Sequence, residues 1–222
     1  MIFVFIGGAS ASGKTSVSER LLLKLRELGI SSQLLTMDDY ILVKPEDVAI
    51  DYYRLHTNFD TPDIMDFDLL REHILNLSKG KAINKPKFSF LSCNHIGHDM
   101  IDKADVVIIE GIFAQYFAKT QLPKEIDRLS VNVATESYND IIIRRIERNV
   151  KERGQTRDTV IQQERNFVGP GFFSYTATAA SGSDVYIVNK RASKADKLKV
   201  LDAAVDEIIE ALNMKTKAAL NA

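Results

Sequence analysis

The sequence predicts an α/β fold: a doubly wound, mainly parallel β-sheet with helices on both faces. One observation behind this prediction is a set of short apolar runs rich in β-branched residues, which are typical of buried strands. The other is that segments with apolar residues at helical spacing separate these runs. Because a helix between two strands returns the chain to the same end of the sheet, this alternation favours parallel pairing. A length of 222 residues suits one such domain.

The first predicted strand, Ile2–Ile6, leads into a glycine-rich loop and then a helix. The loop fits the pattern G-x-x-x-x-G-K-[ST], with the fixed positions filled by Gly8, Gly13, Lys14 and Thr15. Glycine lets the backbone approach an anion closely, and the N-terminus of the following helix favours phosphate. Lys14 would contact the β- and γ-phosphates, and the Thr15 hydroxyl would hold Mg²⁺. The predicted nucleotide-binding residues are Gly8, Ala9, Ser10, Ala11, Ser12, Gly13, Lys14, Thr15 and Ser16.

The next elements alternate as the fold requires. The helix after the loop ends at Gly29, and Gln33–Met37 predicts a second strand. Residues 43–66 are polar, aromatic and interrupted by prolines, so we expect a loop or irregular insertion over the ligand-binding edge of the sheet. A helix over residues 67–80 follows, and loose alternation over residues 83–101 predicts a β-hairpin.

The second half of the chain contains the predicted central strand, Val106–Ile109, which is continuously apolar. Leu129–Val133 predicts another strand. A helix over residues 138–151 should turn its arginines mostly outward and its apolar residues inward, namely Tyr138, Ile142, Ile146 and Val150. Val185–Val188 predicts the last strand, and an amphipathic helix follows, with a frayed tail after Met214.

Carboxylates follow two of the predicted strands. Asp38 and Asp39 come directly after the second strand, and Glu110 comes directly after Val106–Ile109. In an open parallel sheet, ligands bind beyond the carboxyl ends of the strands. A carboxylate there can hold Mg²⁺ through a water molecule or accept a proton from a substrate hydroxyl. The alternatives are a helix cap or turn residue for the aspartates and a solvated strand end for the glutamate.

An arginine-rich stretch occupies ten residues and contains Arg144, Arg145, Arg148 and Arg153. Like charges on one helix face repel each other, which costs stability unless anions or acids are close. A helix with such a face could close over a nucleotide and neutralise a transferring phosphoryl group. The alternative is a solvated surface balanced by the neighbouring glutamates.

Charge and cysteine content argue against several classes of function. With 29 Lys+Arg and 30 Asp+Glu, the net charge of −1 gives no overall attraction to nucleic acid or to an anionic membrane. The single cysteine cannot form an internal disulfide, and no apolar run has the length of a membrane span or a signal peptide. We therefore expect a cytoplasmic protein with a small-molecule substrate and no nucleic-acid or membrane partner. Assembly into a homo-oligomer stays open.

Two further sequence patterns, one typical of metal sites and one of GTPases, are weak evidence for function. A metal site could be sought in a cluster of Cys93, His95, His98 and Asp99, but their spacing is not that of the usual zinc ligands. Asn84–Lys87 superficially resembles the guanine-reading element of GTPases. It lacks the final aspartate, however, and the chain contains no Asp-x-x-Gly, so a GTP switch is disfavoured.

An ordered series of motifs resembles the uridine kinase family, within the uridine kinase and phosphoribulokinase group of P-loop kinases. The series covers about residues 2–189 and consists of GGASASGKT, MDDY, TNFDTPDIMDFDLL, KPKFSF, VVIIEGIF, RRIERNVKERG and NFVGP. The resemblance implies a P-loop kinase fold in a single domain, residues 1–222. A substrate-side hairpin insertion would occupy about residues 43–101, and a helical lid about residues 144–166.

The resemblance also implies roles for individual residues. Asp38 matches the base that takes the proton from a primary hydroxyl, and Glu110 matches an acid near Mg²⁺, beside Thr15. Asp60 and Gln163 match contacts to a ribose. The catalytic candidates that act at the phosphates are Lys14 and the lid arginines Arg145, Arg148 and Arg153. The candidate substrate-binding residues are Asp38, Tyr40, Asp60, Phe88, Cys93, His95 and Gln163.

The chain departs from the family at the positions that read the nucleobase. The family has a tyrosine and a histidine where this chain has Phe88 and Cys93, and an arginine where it has Gln155. Phenylalanine can still stack on a base, but cysteine is a poor hydrogen-bond partner for a pyrimidine edge. His95 or Arg157 could take over that contact. Selectivity for pyrimidines is therefore in doubt.

The predicted function is phosphorylation of the primary hydroxyl of a nucleoside, uridine- or cytidine-like, or of a related small metabolite, with ATP and Mg²⁺. One alternative is a kinase of another small alcohol, pantothenate-like or a sugar phosphate, because the group shares its phosphate-binding half and differs in its substrate half. The other is a nucleotide-binding regulatory protein without turnover. The sequence does not distinguish ATP from GTP as the donor.

Overall fold

A central β-sheet and a separate hairpin contain the strands of the computed structural model, which describes residues 1–191, 193 and 195–220. The sheet strands are β1 (Ile2–Gly7), β2 (Ser32–Thr36), β5 (Val106–Glu110), β6 (Arg128–Ala134) and β7 (Val185–Val188). Their order is β2-β5-β1-β6-β7, and every pairing is parallel. The hairpin pairs β3 (Ile83–Ser89) with β4 (Asn94–Ile101) in antiparallel register. The predicted α/β fold with a parallel sheet is confirmed.

Helices connect these strands and cover them. They are α1 (Lys14–Glu27), α2 (Ile50–His56), α3 (Phe67–Ser78), α4 (Ala114–Thr120), α5 (Tyr138–Arg153), α6 (Arg157–Gln163), α7 (Gly169–Gly171), α8 (Ala177–Ala180) and α9 (Lys197–Leu220). Two π-helical turns, Glu164–Val168 and Phe172–Thr176, join α6, α7 and α8 into one helical segment, residues 157–180. Short 3₁₀ turns span Met37–Tyr40 and Pro62–Ile64. Among the helices of the described residues, none is long and apolar enough to cross a membrane.

The two faces of the sheet build two hydrophobic cores. In β1, Phe3 and Phe5 point to one face and Val4 and Ile6 to the other, as the alternation of a strand requires. The phenylalanine side packs against α3, α4 and the base of the hairpin. The opposite side packs against α1 and α9. Because both faces are covered, the carboxyl edge of the sheet is left as the place where a ligand can reach the strand ends.

Several local predictions were wrong. Residues 43–66 include helix α2, and α4 lies in a stretch for which no helix was predicted. In α5 the buried residues are Ile141, Arg145 and Asn149, whereas Val150 is 45% exposed. The predicted inward face is therefore out of phase, because Arg145 pairs with an acid in the protein interior. The tail after Met214 was predicted to be frayed, but α9 continues through it as far as Leu220. Residues 221–222 lie outside the described part of the chain.

Candidate active site

Two glycines of the phosphate-binding loop have conformations that other residues rarely adopt. The φ angles are 146° at Gly8 and 101° at Gly13. A Cβ atom at Gly8 would lie 2.1 Å from the carbonyl oxygen of Val133, and one at Gly13 would lie 2.0 Å from Nδ2 of Asn189. Asn189 donates a hydrogen bond from Nδ2 to the carbonyl oxygen of Ser12 at 2.7 Å. The loop therefore packs against the ends of β6 and β7, and its shape requires glycine at both positions.

Lys14 is the cation that three candidate carboxylates share. Its Nζ lies 3.5 Å from the carbonyl oxygen of Ala9, so the side chain folds across the loop. Burial raises the pKa of Asp38, Asp60 and Glu110, and the charge of Lys14 opposes this rise at all three. The loop lysine and the three carboxylates thus face one cleft at the carboxyl edge of the sheet.

Hydroxyl and carboxylate oxygens meet beside the loop. Both carboxylate oxygens of Glu110 lie 3.4 Å from Oγ1 of Thr15, and Thr36 donates a hydrogen bond to Oε1 of Glu110 at 2.9 Å. Glu110 is 5% exposed. Hard oxygen ligands of this kind suit Mg²⁺ when substrate phosphates complete its coordination. In the part of the chain that the structure describes, no three His, Cys, Asp or Glu side chains converge as metal ligands.

Asp38 lies on the 3₁₀ turn directly after β2. Its side chain is open to the solvent of the cleft, yet it lies deep enough among protein atoms that desolvation raises its pKa. The charges of Lys14, Arg153 and Arg148 oppose this rise, so the carboxylate sits among the cations that would surround a triphosphate. A carboxylate with a raised pKa is a better proton acceptor near neutral pH than an ordinary aspartate.

Asp39, the next residue, points the other way. It forms a buried ion pair with Lys85 of β3, and its Oδ1 accepts a hydrogen bond from the backbone N–H of Phe88 at 3.0 Å. Asp39 therefore fastens the hairpin to the turn that presents Asp38.

Aromatic side chains line the hairpin side of the cleft. We call Tyr53, Phe59, Phe88, Phe90 and His95 the aromatic cluster. Ring centroids are 5.3 Å apart between Phe88 and Phe90, 6.3 Å between Phe59 and Phe90, and 6.1 Å between Phe88 and His95. Tyr53 packs edge-on against Phe59 at 5.8 Å. The partly exposed rings of Phe59, Phe88, Phe90 and His95 offer a surface on which a flat ligand can stack. The buried Tyr53 supports them.

Asp60 lies next to this cluster and against the helical segment 157–180. A Cβ atom at Gly171 would lie 2.1 Å from the Asp60 carbonyl oxygen, so glycine allows close packing there. Desolvation raises the pKa of Asp60 to about 6; Arg145 opposes the rise and Glu164 adds to it. The carboxyl group is therefore about half protonated at pH 6, and above that pH it can accept hydrogen bonds from two hydroxyls.

The raised pKa of Asp60 makes stability depend on pH. Between the ordinary value of 3.8 and about 6, the folded state binds the proton more tightly than the unfolded state, so this group costs stability as pH rises through that window. We expect Asp60→Asn to raise Tm by a few degrees at pH 7.5 and by progressively less between pH 6 and pH 4. Thermal unfolding across this range measures the effect. A gain that stayed constant with pH would contradict the raised pKa.

The lid arginines divide into two groups. Arg148 donates from Nη2 to Oγ of Ser10 in the loop at 3.1 Å, and the guanidinium of Arg153 lies 5.4 Å above the ring centroid of Phe90. Arg145 is buried and pairs with Glu164, which also accepts a hydrogen bond from Tyr138. The structure thus brings Arg148 and Arg153 to the cleft, whereas Arg145 lies in the wall behind Asp60.

Two predicted substrate contacts need correction. Tyr40 is fully buried, and its hydroxyl is 2.9 Å from Nδ1 of His73, so it belongs to the core. Cys93 is 1% exposed, and its sulfur lies 3.6 Å from the carbonyl oxygen of Phe90, within the hairpin turn. Both side chains are closed to a ligand in this structure. Gln163 ends α6 and is partly exposed, and its role as a ribose contact stays a prediction.

Four residues of the cleft escaped the sequence-based prediction: Asn189, Tyr53, Phe59 and Phe90. Asn189 directly follows β7, so the strand-end rule that selected the carboxylates applies to it as well. Phe59 precedes Asp60, and Phe90 lies two residues after Phe88 in an antiparallel hairpin. Strand alternation could have placed Phe90 on the same face as Phe88.

Comparisons with known proteins show the family of this chain. The sequence profile of the phosphoribulokinase / uridine kinase family matches residues 3–195. The uridine kinase of Escherichia coli (strain K12) is 30% identical over 221 residues, which cover 94% of this chain and 96% of that protein. Uridine-cytidine kinase A of Dictyostelium discoideum is 30% identical over 188 residues, which cover 84% of this chain and 36% of that protein.

A solved structure supports the fold. The phosphoribulokinase of Rhodobacter spheroides superposes with a TM-score of 0.58 at 13% identity, over 84% of this chain and 71% of that one. Since the family profile and relatives at 30% identity agree over most of the sequence, this chain belongs to the phosphoribulokinase / uridine kinase family and is a kinase that phosphorylates an alcohol group of a small substrate.

Proposed function

We propose that the enzyme transfers the γ-phosphate of ATP to the primary hydroxyl of a nucleoside. The observation that carries this proposal is the position of Asp38 between two surfaces of different chemistry. On one side are the phosphate-binding loop and the arginines of α5, whose charges act on Asp38. On the other is the aromatic cluster, which Asp39 ties to the same turn. A nucleoside has a ring to stack and a hydroxyl to present between these surfaces.

The charges around the aromatic cluster favour a neutral acceptor. Lys85 is paired with Asp39, and Lys87 is paired with Asp99 at 3.1 Å. Arg54 donates to the backbone carbonyl oxygens of Phe90 and Leu91. Because Lys85, Lys87 and Arg54 already have partners, a sugar phosphate or a carboxylate-bearing alcohol would have to compete for them. The further cation, Arg153 over Phe90, is assigned to the transferring phosphoryl group. This argues for a nucleoside over the other small alcohols.

The residues of the cleft suit phosphoryl transfer. Asp38 would align the acceptor hydroxyl and take its proton, while Lys14 would contact the β- and γ-phosphates. Arg148 and Arg153 would offset the charge that spreads over the transferring group. Asp60 would hold the two ribose hydroxyls. Closure of the lid would exclude water, which otherwise competes with the acceptor.

A magnesium ion fits the oxygen ligands beside the loop. Thr15 would bind it directly, and Glu110 would hold it directly or through a water molecule. Thr36, which donates to Glu110, would keep that carboxylate in place. When bound, the ion would neutralise part of the charge on the β- and γ-phosphates.

A coupled ATP-consumption assay with a panel of acceptors tests the proposal. We expect turnover with uridine or cytidine, and at least tenfold lower kcat/KM with the 2′-deoxynucleosides, because Asp60 loses a hydroxyl partner. Sugar phosphates and pantothenate should give lower kcat/KM than the best nucleoside. The Lys14→Ala variant controls for contaminating kinases. A sugar phosphate or pantothenate that exceeded every nucleoside would overturn the proposed acceptor while leaving the kinase assignment intact.

A further inference from the structure

Asn149 is a buried polar residue of α5 to which the proposed chemistry gives no role. It is 2% exposed, and both ends of its side-chain amide are bonded. Oδ1 accepts a hydrogen bond from Nε of Arg148 at 3.0 Å, and Nδ2 donates to Oε1 of Gln155 at 2.9 Å. Because Nε of arginine can only donate, this contact fixes which end of the amide is the oxygen.

Arg148 continues this series of bonds to the phosphate-binding loop, since its Nη2 donates to Oγ of Ser10. Gln155, Asn149, Arg148 and Ser10 therefore form one connected series, which we call the Asn149 chain. It links the C-terminal end of α5 to the loop.

The backbone fixes the far end of the Asn149 chain. The N–H groups of Gly154 and Gln155 both donate to the carbonyl oxygen of Asn149, and Gly154 closes the helix with a φ of 65°. The C-terminal turn of α5 thus places the Gln155 side chain beside the Asn149 amide. This gives Gln155 a partner inside the helix, at the position where the family resemblance implies an arginine that reads a base.

Arg148 needs such support because its guanidinium has cationic neighbours. Burial lowers the pKa of Arg148 to about 10, and the charges of Arg153 and Arg145 act in the same direction. Repulsion from Arg153 and Arg145 favours rotamers that carry the guanidinium away from them, against the attraction of Glu152 and Asp38. The bond from Nε to Oδ1 of Asn149 opposes that movement.

We propose that Asn149 is a positioning residue that holds the Arg148 guanidinium toward the loop, with Gln155 as its support. This inference rests on the proposed role of Arg148 in phosphoryl transfer. A neutral amide can orient the guanidinium without cancelling its positive charge, whereas a carboxylate would reduce the charge available to the phosphates. The arrangement therefore combines a fixed direction with a full positive charge.

Kinetics of Asn149→Leu, Arg148→Met and the double variant test this role with the best acceptor of the panel. Leucine is close to asparagine in size but offers no acceptor to Nε. We expect Asn149→Leu to lower kcat about tenfold to a hundredfold and to change the acceptor KM less than about threefold. If Asn149 acts through Arg148, the double variant will be no slower than Arg148→Met alone. If the kcat losses of the two single variants multiplied in the double variant, the proposal would be overturned.

Gln155→Met is the graded control, because it removes only the support of the Asn149 amide. We expect it to lower kcat about threefold, as suits one neutral hydrogen bond. A loss as large as that of Asn149→Leu would instead show that Gln155 acts on the substrate directly, against the proposal.

The Nε–H signal of Arg148 in ¹H–¹⁵N spectra gives a readout that does not need turnover. Its absence from Arg148→Met identifies it. We expect slow exchange of this proton with water in the wild type and at least tenfold faster exchange in Asn149→Leu. An unchanged exchange rate would overturn the positioning role. If Arg148→Met kept the wild-type kcat, the proposed role of Arg148 in phosphoryl transfer would be wrong. That result differs from failure of the positioning role of Asn149, which the exchange rate tests.

Discussion

Replacing Asp38 with asparagine should lower kcat at least a hundredfold and leave ATP affinity within about threefold of the wild type. Asparagine has the size of aspartate but cannot take the proton of the acceptor hydroxyl. Asp38 is not part of the phosphate-binding loop, so binding of the triphosphate should persist. Steady-state kinetics and calorimetric titration with ATP measure the two quantities separately.

Stability distinguishes this loss from misfolding. Desolvation raises the pKa of Asp38, so the folded state disfavours the ionised form that neutral pH imposes. Asp38→Asn should therefore match or exceed the wild-type Tm at pH 7.5. Asp63→Asn, at an exposed position of the 3₁₀ turn Pro62–Ile64, serves as the control and should retain full activity. A kcat within tenfold of the wild type would exclude Asp38 as the base.

The sheet could be predicted because its strands are specified locally. β1, β5 and β7 coincide with the predicted apolar runs to within one residue. β1 and β5 are buried on both faces, which requires a continuous apolar sequence, whereas β7 is an edge strand that buries one face. The phosphate-binding loop could be predicted equally well, because its glycines and lysine have a fixed spacing. Helix α2 escaped prediction because only Tyr53 of its residues is buried, so it has no apolar stripe to reveal it.

The errors arise where partners lie far apart in sequence. Arg145 is buried because Glu164, nineteen residues away, neutralises it, and periodicity of apolar residues cannot reveal such a pair. Tyr40 was assigned to the substrate on the family resemblance, but its hydroxyl bonds to His73 in the core. The aromatic cluster likewise depends on the hairpin register and on the tie between Asp39 and Phe88. Local patterns identified the phosphate site, whereas long-range pairing decides the shape of the acceptor site.

The buried ion pair between Lys85 and Asp39 leads to the largest expected change in stability. Lys85→Met leaves the Asp39 carboxylate buried without its cation, which typically costs about 3–5 kcal/mol. Because Asp39 also binds the N–H of Phe88, the hairpin should shift relative to Asp38 and the acceptor KM should rise. Urea unfolding and acceptor kinetics of the same preparation measure both effects.

Two controls isolate the buried charge as the cause. Lys87→Met removes a cation from the same strand, but its pair with Asp99 is exposed, so the loss should stay below about 1 kcal/mol. In the double variant Lys85→Met with Asp39→Asn, a neutral amide oxygen can still accept from Phe88, and no charge is left unpaired. This variant should recover most of the stability that Lys85→Met loses. If the double variant were as unstable as Lys85→Met, lost packing of the lysine stem would be the cause, and the ion pair would not be what holds the acceptor site to the catalytic turn.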